Sequence, residues 1–219
     1  MCFSATASFT AGGLLLVAGV AAQKLARAPA ERFYAAIPLL FAIQQLTEGV
    51  VWISFGEATS GINGWATQLY SFFSHVLWPV YVPVAAWLLE TDPPRRRLLA
   101  AVCAAGLAIG AYLLYSMVAY PIVARPTGGH VEYDSPHFYV ALSMTLYLLA
   151  TTVSLLLSTH PRVRFFGALA LGSAVVAFAL FARWFISVWC FFAAVMSVAV
   201  LVQLLPQRGR RGAASLSSP

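Results

Sequence analysis

Charge is what this chain has least of. Only 9% of its 219 residues are Asp, Glu, Lys or Arg, 61% are hydrophobic and the mean hydropathy is +0.81. A soluble domain carries roughly 25% charged residues, and surface-to-volume scaling would leave about a quarter to a third of this apolar surface in water. That excludes a soluble enzyme, a nucleic-acid binder and a disordered chain. The net charge of +6 therefore points to basic loops beside a membrane, with no nucleic acid as partner. Cysteine is scarce too: three are too few for a disulfide framework, although one pair remains open. Lysine is nearly absent. Lys24, the only one, lies at the end of the first apolar stretch, so a retinal Schiff base on a last helix is excluded. Strand-like alternation is missing as well, which excludes a barrel.

What remains is long apolar stretches. Seven reach the length of about 20 residues that crosses a hydrocarbon core: 7–24, 35–55, 67–89, 98–120, 137–158, 163–181 and 184–205. The expected fold is all-α, a polytopic membrane protein with seven transmembrane helices, forming one domain over 1–206 and a disordered cytoplasmic tail over 207–219. Eleven basic residues follow spans one, three, five and seven; only Arg125 and Arg183 fall on the other side. This asymmetry puts the N-terminus outside and the C-terminus in the cytoplasm. A cleaved signal peptide would leave six spans, but it needs a positive n-region and no basic residue precedes Lys24.

Polar side chains inside the spans mark the candidate site. Glu48 is the one acidic residue within a span, where a carboxylate is expensive and must find a partner or a proton. Gln44, Glu48 and Trp52 share a helix face, with Gln45 beside them. His75 lies on a face with Ser71 and Trp78, above a kink expected from Pro79 and Pro83. Span seven offers Cys190 among small residues, Ser187, Ala194 and Ser197. Counted from the span midpoints, Glu48, His75 and Cys190 lie within roughly 3–6 Å outward of the centre. Glu, His and Cys are ligands of zinc and other transition metals. Cys2 is read in three ways: an inert tail, a disulfide partner of Cys190, or a further ligand or nucleophile. His130, in the outer loop Gly129-His130-Val131-Glu132-Tyr133-Asp134, is a candidate acid/base in a lid. A hydroxyl stripe along span five, from Tyr139 to Ser158, lines a pathway or bonds to its own backbone.

Three strings carry a resemblance. They are Met1-Cys2-Phe3-Ser4-Ala5-Thr6-Ala7-Ser8-Phe9, the second-span run from Pro38 to Gly49, and Ser187-Val188-Trp189-Cys190-Phe191-Phe192-Ala193-Ala194. With them the chain resembles an uncharacterised bacterial family of small seven-helix membrane proteins. This implies the bacterial cytoplasmic membrane as location and carries no activity. A distant similarity to the alkaline ceramidase and progestin/adiponectin-receptor superfamily rests on helix count and one intramembrane His. The three-His zinc site of those hydrolases lacks its His pair here, since span seven has no His.

Two functions fit these residues. One is a metal-dependent hydrolase of a lipid-like substrate, with Cys2, Glu48, His75 and Cys190 as ligands and Glu48, His75 or His130 as acid/base. The other is a non-enzymatic receptor, sensor or carrier that holds an ion or small molecule in the same polar slab.

Overall fold

The computed structural model of the chain describes residues 4–136 and 139–205. In order these form α1 (Ala5–Leu25), α2 (Pro29–Ala35), α3 (Ile37–Ile53), α4 (Ser60–Ser71), α5 (Trp78–Leu89) and α6 (Pro93–Ala119). A hairpin of β1 (Val123–Thr127) and β2 (His130–Asp134) comes next. Then follow α7 (Val140–Leu148), α8 (Ser154–Leu156), α9 (Pro161–Phe181), α10 (Phe185–Met196) and α11 (Val198–Leu204).

Five helical runs are long and apolar enough to cross a membrane: Ala5–Leu25, Pro29–Ile53, Ser60–Leu89, Pro93–Ala119 and Pro161–Leu204. The chain is thus all-helical apart from one hairpin among the described residues, and its apolar helices fit a membrane-embedded protein. Two of the expected spans fall in the last run. It doubles back near Phe181 (φ −137°, ψ 37°) and Trp184 (φ −107°, ψ 19°). The Trp189 indole donates to the Ala170 carbonyl at 3.2 Å, and the Gln203 amide donates to the Arg162 carbonyl at 2.7 Å. The expected fifth span is shorter than the sequence suggests. Its helix is Val140–Leu156, 17 residues, and begins only after Tyr139, a bulky residue in the left-handed region at φ 57°. The expected tail, 207–219, lies outside the described residues.

Close approach of small residues holds the helices together, since lipid offers no hydrophobic gain for association. Along α1, a Cβ at Gly19 would stand 2.6 Å from the Leu39 side chain and 2.8 Å from its backbone nitrogen. The tightest crossing is α5 with α6. Pro83 has no N–H, so the Pro79 carbonyl loses its helical donor. Gly106 presses its bare Cα face on that carbonyl: a Cβ there would meet the oxygen at 2.0 Å. Gly110, one turn on, packs on Val80 and the Val76 carbonyl.

Two π-helical segments interrupt the bundle, each with its freed carbonyl taken up. Over Phe72–Leu77 the Trp78 N–H reaches back to Phe73 O, five residues away, and abandons the Ser74 carbonyl. The Tyr147 hydroxyl donates to that carbonyl from α7. Over Leu149–Val153 the Ser154 N–H goes to Leu149 O, and the Ser154 hydroxyl donates to the abandoned Ala150 carbonyl. Other hydroxyls of span five bond to their own backbone one turn back: Thr151 and Thr152 donate to Tyr147 O and Leu148 O. Tyr147→Phe should leave the Ser74 carbonyl unpaired and cost about 1–3 kcal/mol, read as a lower thermal midpoint in detergent. An unchanged midpoint would refute that role.

One end of the bundle is tied by Glu90, which is 1% exposed just beyond α5. Its carboxylate accepts from the backbone N–H groups of Thr91, Asp92 and Thr159 and from the Thr159 hydroxyl, at 2.7–3.0 Å. Burial pushes this carboxyl up, but the hydrogen bonds outweigh it and hold it below the ordinary 4.5. Its stabilisation is thus present above pH about 4.5 and lost as pH falls through the lowered folded value. Glu90→Gln should flatten the acid limb of the stability curve below pH 4.5. An acid limb identical to wild type would show that Glu90 does not drive it.

Candidate functional site

The hairpin closes the other end. Tyr133 stacks on Tyr70 of α4 (centroids 4.5 Å, 7° between planes), and Gln68 donates to the Ile122 carbonyl at 2.8 Å. Glu132 takes a two-pronged bond from Arg183 (3.0 and 2.9 Å), which lowers the carboxyl and raises the guanidinium. His130 stacks on Trp184 at 4.6 Å. Burial lowers its imidazole and favours the neutral ring. The hairpin thus packs over this end of the bundle, against α4 and α10. His130, however, is spent on docking it against the α9–α10 turn and does not line the cavity below.

That cavity, about 60 Å³, is lined by Ser74, His75, Ser143, Tyr147, Trp189 and Cys190 with apolar residues between them. A second, about 40 Å³, shares Tyr147, Trp189 and Cys190 as walls and runs on between Phe41, Trp78, Leu155 and Phe166. The two chambers adjoin across these shared walls and together make the slot; both are almost wholly apolar, with Ser74, His75 and Ser143 in the wall of the first and Thr151 in that of the second.

His75 is 6% exposed and tightly oriented. Its Nδ1 stands 2.9 Å from Ser74 Oγ and 3.2 Å from the Ser71 carbonyl. The Ser74 hydroxyl itself reaches Ser71 O at 3.2 Å, and a carbonyl only accepts. This network puts the ring proton on Nδ1 and leaves Nε2 as the acceptor of a neutral imidazole. Nε2 lies 3.0 Å from Ser135 Oγ, just beyond β2. Ser135 carries no signal of its own, because a loop serine has no spacing relation to a helix 60 residues earlier.

Glu48 is fully buried. Its Oε1 accepts from Ser187 of α10 at 2.8 Å, and Oε2 from Ser8 of α1 at 3.5 Å. The carboxylate thereby joins three helices that are distant in sequence. Gln44 accepts from the Trp78 indole at 2.7 Å and turns its amide toward the Cys190 thiol, while both polar atoms of buried Gln45 have no hydrogen-bond partner among the described residues. The Cys190 thiol stands between the two regions, within reach of Gln44 and Tyr70, close to Glu48 and on the cavity wall with His75. Cys190 and Cys103 are free thiols.

This proximity thus links Cys190 to both Glu48 and His75. It does not assemble a metal centre: among the described residues no group of three or more His, Cys, Asp or Glu is placed to hold a metal. Cys2, the fourth expected ligand, lies outside the described residues, as does His137.

A family model matches residues 1–216, and the chain belongs to that family of unknown function, DUF6629. No curated protein and no solved structure matches the chain.

Proposed function

We propose that this is a multi-pass protein of the bacterial cytoplasmic membrane that takes a single-chain, lipid-like molecule into the slot beneath the hairpin. In this reading it has seven spans, with Val140–Leu156 as the fifth and the two arms of Pro161–Leu204 as the sixth and seventh. The basic residues orient its N-terminus and hairpin outward. The shape and polarity of the slot carry the proposal. An apolar wall with a few convergent polar groups at one end is the usual form of a small-molecule site. Here the polar end, at Ser74, His75 and Ser143, adjoins the lid. The apolar chamber, behind Tyr147 and Trp189, has the lining a hydrocarbon chain requires, and at about 40 Å³ it must widen to admit one. A receptor, a carrier or an enzyme all need this first step.

The test is thermal unfolding in a short-chain detergent with decanoic acid added. Binding to the folded state alone raises stability by RT ln(1 + [L]/Kd), about 2.7 kcal/mol at a hundredfold excess over Kd. A saturable rise is expected, and Ala193→Phe, which fills the inner chamber, should abolish it. Equal rises in wild type and variant would refute the slot as the binding place.

A further inference from the structure

We propose that Ser135 and His75 form a nucleophile–base pair that cleaves acyl esters whose chain occupies the slot. The inference rests on the binding reading above for its substrate class. Its geometry stands independently.

An activated serine needs three things: a base within hydrogen-bond reach, a third group that holds the base in the right tautomer, and access for a substrate carbonyl. The first is the 3.0 Å contact between Ser135 Oγ and His75 Nε2. The second is the Nδ1 network to Ser71 O and Ser74 Oγ, which leaves Nε2 free of its proton and aimed at the hydroxyl. The third follows from exposure: His75 is buried on the cavity wall, whereas Ser135, just beyond β2 and outside the cavity lining, is only half-buried and so partly open to a substrate. The ring thus sits inside the bundle with its basic nitrogen turned toward a reachable hydroxyl. Local backbone strain is found here too. Tyr139 holds a left-handed conformation four residues after Ser135, and strained residues cluster at active sites.

In the reaction Ser135 Oγ forms a bond to the ester carbonyl carbon while its proton passes to Nε2 and the carbonyl π pair moves onto oxygen. As the carbonyl re-forms, the bond to the alcohol oxygen breaks and that oxygen takes the proton from Nε2. Water then attacks the acyl-serine, gives its proton to Nε2, and releases the carboxylic acid as the proton returns to Oγ. No oxidant or metal enters the balance.

The full chain, purified in detergent, is treated with an alkyl fluorophosphonate, which bonds to activated serine with loss of fluoride. An adduct on the peptide that contains Ser135 is expected, absent in Ser135→Ala. General-base catalysis contributes about 10²–10⁴-fold, so His75→Gln should slow labelling by that factor. The decanoic-acid thermal shift is measured on each variant as the check on folding and on the chamber. No adduct on Ser135 in wild-type protein, or labelling of folded His75→Gln at the wild-type rate, would overturn the pair. Loss of the shift alone, with labelling intact, supports the pair and refutes the chamber reading instead.

Discussion

Gly106→Ala is expected to lower stability by about 3 kcal/mol or more and to lower the yield of folded protein from the membrane. The added methyl would overlap the Pro79 carbonyl oxygen at 2.0 Å, and the Pro79 carbonyl carbon is 3.1 Å away. A clash with a flexible side chain is relieved by a rotamer change. Here the obstacle is backbone, the Pro79 carbonyl itself. Overpacking in a close-packed interior typically costs about 1–3 kcal/mol, and the fixed carbonyl puts this site at or above the top of that range. Gly13, with nothing within 4 Å of its Cβ position, is the control and should accept alanine without loss. Thermal unfolding of the two variants side by side reads the difference. Equal midpoints would mean that α5 and α6 do not cross as described.

The second large effect is expected at Glu48. Glu48→Ala leaves the Ser187 and Ser8 hydroxyls without their shared acceptor and opens a void among α1, α3 and α10. An unsatisfied buried polar group costs about 1–3 kcal/mol, and the void adds to it. A total loss of about 3 kcal/mol is therefore expected. Glu48→Gln keeps the shape and an acceptor for Ser187, so most of the stability should return. A Gln variant as unstable as the Ala variant would show that the carboxylate itself is required, beyond its hydrogen bonds to the two serines.

Much of this was legible in the sequence because composition and span length respond to the bilayer directly. The all-helical class needed no tertiary information. The meeting of Cys190 with both Glu48 and His75 followed from depth, since helices packed side by side bring together residues at one level. Depth says nothing about azimuth, so which of these side chains converge was not legible. The span-five hydroxyls read as a pathway lining or as bonds to their own backbone, and Ser143, Thr151 and Ser154 make such backbone bonds; the π segments leave no mark in hydropathy. His130 suggested an acid/base, yet it stacks on Trp184 at the lid. The metal centre needs several side chains to converge, and the described residues contain no such convergence. Gly106 and Gly110 did have a readable signal in their i, i+4 spacing opposite a proline-bent helix. Ser135 had none, because its partner is set by where the hairpin lands.

The central claim is that the slot beneath the hairpin holds a lipid-like chain. Photolabelling in vesicles with a diazirine-bearing fatty acid tests it most directly. Saturable adducts are expected on the slot walls, at Ser143–Tyr147 and Phe185–Cys190, and should disappear with excess unlabelled decanoic acid. Adducts confined to outward residues such as Leu107, Val118 and Phe178, which are 61%, 77% and 63% exposed, would mean that the bilayer touches only the outside of the bundle and would contradict the account.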